Sequence, residues 1–87
     1  MKIEFDPTKD KTNIDKHGIS LSKAVEFEIL SILRDERFDY GEERYRAWGL
    51  IEGVAHCLAF ATRDNKVRAI SLRRAHKKEM KRYAQQI

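Results

Sequence analysis

Apolar and polar positions along the chain predict five strands and three helices. Ile3 to Asp6 alternates in the manner of a short strand, and the branched aliphatic run from Ile29 to Leu33 predicts a second strand. Three more apolar segments, residues 44–51, 54–62 and 67–72, are separated by the turn residues Glu52-Gly53 and Asp64-Asn65. The last four strands are therefore expected to form a meander.

Helix signals occur in three places. Asp6-Pro7 starts a first helix that Gly18 ends after His17, and Ser20 caps a second, short helix. From Ala75 onward the period is again helical, and one side of that helix carries Met80, Tyr83, Ala84 and Ile87. The order β-α-α-β-β-β-β-α predicts an α+β domain with an antiparallel sheet and its helices against one face.

Size and composition indicate a single domain over residues 1–87. Apolar residues make up 41% and charged residues 37% of the 87 residues, which suits a folded chain with a solvated surface. Neither a membrane-spanning run nor a signal peptide is evident, and Cys57 is the one cysteine, so no zinc site or disulfide is expected. We expect a cytoplasmic protein with no cofactor and no membrane association.

Positive charge is concentrated in the second half of the chain. The net charge is +4, but residues 41–87 alone hold 11 basic and 5 acidic residues. Between Arg63 and Arg82 there are nine basic and two acidic residues, a density that attracts polyanions such as RNA. A solvated, lysine-rich helix is the alternative explanation.

Alternation along the last two strands separates a bulky face from a small one. Ala55, Cys57, Ala59 and Ala61 share one face of the fourth strand with Arg63. In the last strand, Val67, Ala69, Ser71 and Arg73 are expected on one side, away from Ile70 and Leu72. We expect Arg63, Arg73 and Arg74 together at this small-residue face, where guanidinium groups can grip phosphate in pairs. Close packing of a helix or a partner chain against the small residues is the alternative.

Other polar side chains are candidates for proton transfer. Glu43 can act as a general base or hold Arg44 by a salt bridge. His17 can act as an acid or base, or cap the end of the first helix. His56 and Trp48 are expected in the core, His76 is a weaker candidate, and Cys57 lacks an assigned base.

Several short motifs together resemble the BrnT toxins over essentially the whole chain. They are, in order, Phe5-Asp6-Pro7, Asn13, Lys16-His17-Gly18, Gly41-Glu42-Glu43-Arg44, Arg63, Arg68 and Ile70-Ser71 followed by Arg73-Arg74-Ala75. The resemblance implies a RelE-like fold and a ribonuclease that arrests translation. It also implies a BrnA-type ribbon-helix-helix antitoxin, through which the complex binds operator DNA.

The resemblance places the polar residues of that family on particular positions of this chain. These are His17, Glu43, Arg44, Arg63, Arg73 and Arg74, and Ala61 and His76 are departures from threonine and from serine or threonine. We expect metal-independent attack by the RNA 2′-hydroxyl, with RNA contacts from Arg63, Arg68, Arg73, Arg74 and Lys77. A non-catalytic basic module that binds nucleic acid or a partner is the alternative function.

Overall fold

Five strands and three short helices account for most of residues 2–84, the part of the chain that this computed structural model describes. The strands are β1 (Lys2–Glu4), β2 (Glu28–Arg34), β3 (Arg44–Ile51), β4 (Val54–Arg63) and β5 (Lys66–Arg74). The helices are α1 (Pro7–His17), a 3₁₀ helix (Leu21–Glu26) and α2 (Lys77–Tyr83). The α+β class and the five strands are confirmed, but two α-helices are present in this part of the chain where three helices were predicted as α, because the second is a 3₁₀ helix.

The sheet is mixed, not antiparallel as predicted. Its spatial order is β1-β5-β4-β3-β2, and β1 pairs parallel to β5, with Ile3 opposite Val67. The other neighbouring strands pair antiparallel, as the two tight turns of the meander require. A three-residue strand carries no signal for the direction of its pairing, because that direction depends on where α1 returns the chain.

Local signals position the first two helices. The Asp6 carboxylate accepts a hydrogen bond from the Thr8 N–H at 2.8 Å, and Gly18 ends α1 in the left-handed conformation at φ 71°. The second helix is a 3₁₀ helix, not an α-helix, and its N–H groups bond three residues back, as Phe27 does to Ala24. The predicted C-terminal helix begins two residues later than Ala75, and Ile87 lies outside the described residues.

Helices pack against both faces of the sheet, which corrects the expectation of one covered face. Leu21 and Ala24 of the 3₁₀ helix pack on Leu58 and Leu72, which belong to one face. On the other face, Tyr83 of α2 stacks on the fully buried Trp48 with ring centroids 4.2 Å apart. Since Trp48 and Leu58 lie on opposite faces, the sheet needs cover on both sides.

A buried asparagine fixes α1 along β5. Asn13 donates to the Leu72 carbonyl at 2.8 Å and accepts from the Leu72 N–H at 3.0 Å, so its amide replaces a neighbouring strand at this point. The same amide nitrogen donates to the Ile19 carbonyl at 2.8 Å. The rest of α1 is largely exposed.

A β-bulge in β5 decides which side chains share a face. Ala59 pairs with Ser71, but the next residue, Phe60, pairs with Ala69, so Ile70 is the extra residue. Beyond the bulge the alternation is shifted by one position. Val67 and Ala69 therefore join Leu72 in the core, against the prediction, and Arg68 joins Ser71 on the opposite face.

Candidate functional site

Three cross-strand rows define the sheet face opposite the 3₁₀ helix. Each row takes one residue from β3, one from β4 and one from β5, and the rows are Arg44–Ala61–Arg68, Arg46–Ala59–Ser71 and Trp48–Cys57–Arg73. We call the surface formed by Arg44, Arg46, Arg68, Arg73, Ala59, Ala61 and Ser71 the arginine face. Its centre is small and its margins are guanidinium groups.

One carboxylate lies between two arginines at one end of the arginine face. Glu42 Oε2 is 3.1 Å from Arg44 Nε, and Glu42 Oε1 is 3.9 Å from Arg68 Nη1. The Arg44 guanidinium also lies 4.2 Å from the centroid of the Tyr40 ring. The arginine side chains keep 27% and 31% of their surface exposed, so a ligand can still reach them.

Arg46 lies in the middle row and is held by aromatic rings. Its guanidinium carbon is 5.2 Å from the centroid of Trp48 and 5.6 Å from that of Tyr83. Within residues 2–84, its buried Nε has no hydrogen-bond partner. Ring faces hold the cation without using its N–H groups, and within residues 2–84 no carboxylate pairs with Arg46, unlike Arg44, Arg68 and Arg73.

Arg73 is joined to α2 by a two-bonded ion pair. Its Nη1 and Nη2 donate to the two carboxylate oxygens of Glu79 at 2.9 and 2.6 Å. These bonds lower the pKa of Glu79 to about 2 and raise the pKa of Arg73. The contact ties α2 to the edge of the arginine face, in the row that holds Cys57.

The segment 35–43 is fixed beside the arginine face by a buried aspartate. Asp35 accepts from Arg37 Nε and Nη2, both at 2.8 Å, and from the Tyr40 hydroxyl at 3.1 Å. The Arg37 guanidinium holds the pKa of Asp35 well below its usual range. Tyr40 is thereby held against Arg44.

Arg74 does not lie on the arginine face, contrary to the prediction. It pairs with His56 on the opposite face and lines a cavity of about 300 Å³ together with His17. The reason is the alternation of a strand, since consecutive residues such as Arg73 and Arg74 point to opposite sides. His17 and Arg74 are thus brought together, but away from Arg44, Arg68 and Arg73.

Two more predicted residues lie apart from this cluster, whereas Arg63 lies beside it. Arg63 is on the predicted face, two residues beyond Ala61 on β4 and thus about 7 Å from it, but it sits at the β4–β5 turn, about 20 Å along the strand from Cys57. Glu43 accepts from the Tyr45 hydroxyl at 3.2 Å and pairs with Arg34 at 3.4 Å, so Glu42 is the residue that holds Arg44. Lys77 lines an apolar groove beside α2.

The core assignments are confirmed. Trp48 and His56 are buried, and His56 Nδ1 donates to the Val54 carbonyl at 2.8 Å. Cys57 is buried too, and burial raises the pKa of its thiol, which opposes nucleophilic chemistry. His76 is the N-cap residue of α2, and its backbone N–H donates to the Glu79 carboxylate at 3.2 Å.

Two features are absent from residues 2–84. No three His, Cys, Asp or Glu side chains in this part of the chain gather closely enough to hold a metal ion. None of the helices described here has the length and apolarity that crossing a membrane requires. The charged groups that the arginine face does present are guanidinium and carboxylate groups.

Comparison with protein-family models identifies the family of this chain. The model of the family described as "Ribonuclease toxin, BrnT, of type II toxin-antitoxin system" matches residues 5–79. The chain belongs to the BrnT family. It is a ribonuclease toxin of a type II toxin-antitoxin system, whose substrate is RNA and whose partner is a protein antitoxin. No curated protein matches the chain.

Sequence reasoning missed one residue of the arginine face of this toxin and the carboxylate that pairs with two of its arginines. Arg46 could have been found, because it alternates with Arg44 and Trp48 on the same strand. Glu42 lies one residue from the predicted Glu43. Which of the two side chains points toward Arg44 depends on the residue at which β3 begins, and this start is not evident from the sequence. The bulge at Ile70, which brings Arg68 to this face, has no clear signal in the sequence.

Proposed function

We propose that RNA lies across the arginine face and is cleaved there without a metal, by attack of a ribose 2′-hydroxyl on the adjacent phosphate. The observation that carries this proposal is the convergence of Arg44, Arg46, Arg68 and Arg73 around a floor of Ala59, Ala61 and Ser71. Small side chains let an extended strand come close to the sheet, while the guanidinium groups at the margins meet its phosphates.

The arginines stabilise the charge that builds on the phosphoryl oxygens. As O2′ bonds to phosphorus and the bond to O5′ breaks, negative charge develops on the nonbridging oxygens, and fixed cations lower this barrier. Arg46 is the best placed arginine, because it lies in the central row and, unlike Arg44, Arg68 and Arg73, has no carboxylate partner within residues 2–84. Arg44 and Arg68 hold the neighbouring phosphate.

Glu42 is the carboxylate best placed to accept the 2′-hydroxyl proton. It is the acidic side chain that contacts both Arg44 and Arg68, whereas Glu43 contacts Tyr45 and His17 shares a cavity with Arg74. The proton removed from O2′ is balanced by one delivered to O5′, from water or a conjugate acid. The products are a 2′,3′-cyclic phosphate and a 5′-hydroxyl end.

We propose that the toxin has a RelE-like fold, arrests translation in the cytoplasm and is neutralised by a BrnA-type antitoxin. That antitoxin carries a ribbon-helix-helix region through which the complex binds operator DNA. Membership of a type II toxin family and the basic arginine face support these proposals.

Analysis of the cleavage products tests the proposed chemistry. Purified toxin, incubated with a synthetic RNA in buffer containing EDTA, is expected to cut it and leave 2′,3′-cyclic phosphate and 5′-hydroxyl ends. Mass spectrometry of the fragments distinguishes these ends from a 3′-hydroxyl and a 5′-phosphate, which come from hydrolysis by an activated water. The latter ends, or loss of cutting in EDTA that returns with a divalent ion, contradict the proposal.

A further inference from the structure

An apolar groove runs along the side of α2 that faces away from Arg73. It has a volume of about 670 Å³. Its floor comes from β2, from β4 and from α2 with its flanking residues, namely Leu30, Ala55, Ala75, Met80 and Ala84. Three lysines of α2 form its rim, Lys77, Lys78 and Lys81. Apolar floor and cationic rim together describe a surface suited to an amphipathic, acidic ligand.

The groove differs in chemistry from the arginine face. Neither an aromatic ring nor a guanidinium group lines it. The groove therefore offers no ring on which RNA bases could stack and no guanidinium group that could donate two hydrogen bonds to a phosphate. A second copy of this chain would bring its own lysine rim against this one, and like charges facing each other disfavour that contact. A partner with apolar side chains flanked by carboxylates satisfies both the floor and the rim.

We propose that this groove is the docking site for an acidic, amphipathic segment of the protein antitoxin. The partner's apolar side chains bury the floor around Ala55 and Met80, and its carboxylates pair with Lys77, Lys78 and Lys81. The inference takes the existence of a protein antitoxin from the family and does not depend on how RNA is cut.

Docking here explains how a partner can reach the arginine face. Lys78 lines this groove and also a second cavity across α2, of about 560 Å³, that Arg73, Glu79 and Tyr83 line. An acidic segment anchored in the groove therefore continues over the helix toward Arg73. Neutralisation then has two parts, an apolar anchor beside α2 and carboxylates that compete with RNA phosphate.

Two variants test the anchor. Ala55→Glu fills the floor and repels an acidic partner, and Lys81→Glu reverses one charge of the exposed rim. The matched control is Lys11→Glu, which makes the same charge change on the exposed side of α1. The probe is the purified product of the open reading frame adjacent to the toxin gene, and binding to the full-length toxin is measured by calorimetry at two salt concentrations.

We expect Ala55→Glu to weaken binding by at least about 30-fold, as loss of a central apolar contact does. Lys81→Glu should weaken it about 5- to 10-fold, with a smaller salt dependence, and Lys11→Glu should leave it unchanged. Antitoxin-free RNA cleavage by Ala55→Glu checks that this variant folds, and Lys81→Glu keeps the test decisive if it does not.

Three results would overturn the proposal. The first is full affinity in both groove variants, and the second is a loss of affinity confined to a variant of the arginine face such as Arg46→Ala. The third is a toxin dimer in sedimentation that Ala55→Glu converts to monomers, which assigns the groove to a second copy. Failure of RNA cleavage with intact antitoxin binding would instead contradict the proposed function and leave the docking site standing.

Discussion

Arg46→Lys is expected to slow RNA cleavage by about 100- to 1000-fold, the usual effect of removing one donor that meets transition-state charge. Lysine keeps the positive charge but loses the planar fork that lies over Trp48 and Tyr83. A module that holds RNA by bulk charge would lose little from this change. The measurement is the single-turnover rate of cleavage with enzyme in excess over RNA.

Arg74→Lys is the matched control, since it makes the same chemical change at a residue on the opposite face. Its rate should stay within about threefold of the unaltered toxin, as expected for a substitution outside the site. Urea unfolding of both variants separates lost stability from lost chemistry. A severe effect of Arg74→Lys with a normal rate for Arg46→Lys would move the site to the cavity that holds His17.

Acid is expected to destabilise the toxin through Glu79. Its pKa is about 2 in the folded chain against an ordinary 4.5, so the ionised form is the one that folding favours. The stabilisation is therefore complete above pH 4.5 and is lost as the pH falls toward 2. The difference between these two pKa values corresponds to about 3 kcal/mol in the free energy of unfolding. Solvent screens little of this stabilisation, because the Glu79 side chain is only 15% exposed.

Urea unfolding between pH 6 and pH 2 measures this effect. Glu79→Gln should unfold more easily at pH 6 and show a flatter dependence on pH, since it has no carboxylate to protonate. Glu52→Gln is the control, since it makes the same chemical change at an exposed position in the β3–β4 turn, away from the Arg73–Glu79 pair. Part of the slope will persist in Glu79→Gln, because the pKa of Asp35 is also lowered. An unchanged slope in Glu79→Gln would contradict the assignment.

Local chemistry made much of the fold predictable. The Asp6-Pro7 start and Gly18 stop of α1, and the turns at Glu52-Gly53 and Asp64-Asn65, depend on residues within a few positions of each other. The small-residue face of β4 was predictable for the same reason, since strict alternation holds from Val54 to Ala61. The excess of basic residues in the second half of the chain indicates a polyanionic ligand from composition alone.

Long-range pairing decided what the sequence left open. The parallel pairing of β1 and the cover of Trp48 by Tyr83 join residues far apart in the chain, which periodicity does not detect. One extra residue at Ile70 reversed the alternation of β5 and exchanged Ala69 for Arg68 on the arginine face. The predicted cluster of Arg63, Arg73 and Arg74 therefore became a different cluster on the same small floor.

The claim that RNA lies on the arginine face is tested most directly by nuclear magnetic resonance. The ligand is an RNA strand with 2′-O-methyl riboses, which can bind but has no 2′-hydroxyl to attack phosphate. Titration should shift the arginine Nε–H signals of Arg44, Arg46 and Arg68 and the backbone amide of Ser71, and leave those of Arg74 and His17 in place. Shifts confined to His17, Arg74 and their cavity would contradict the account.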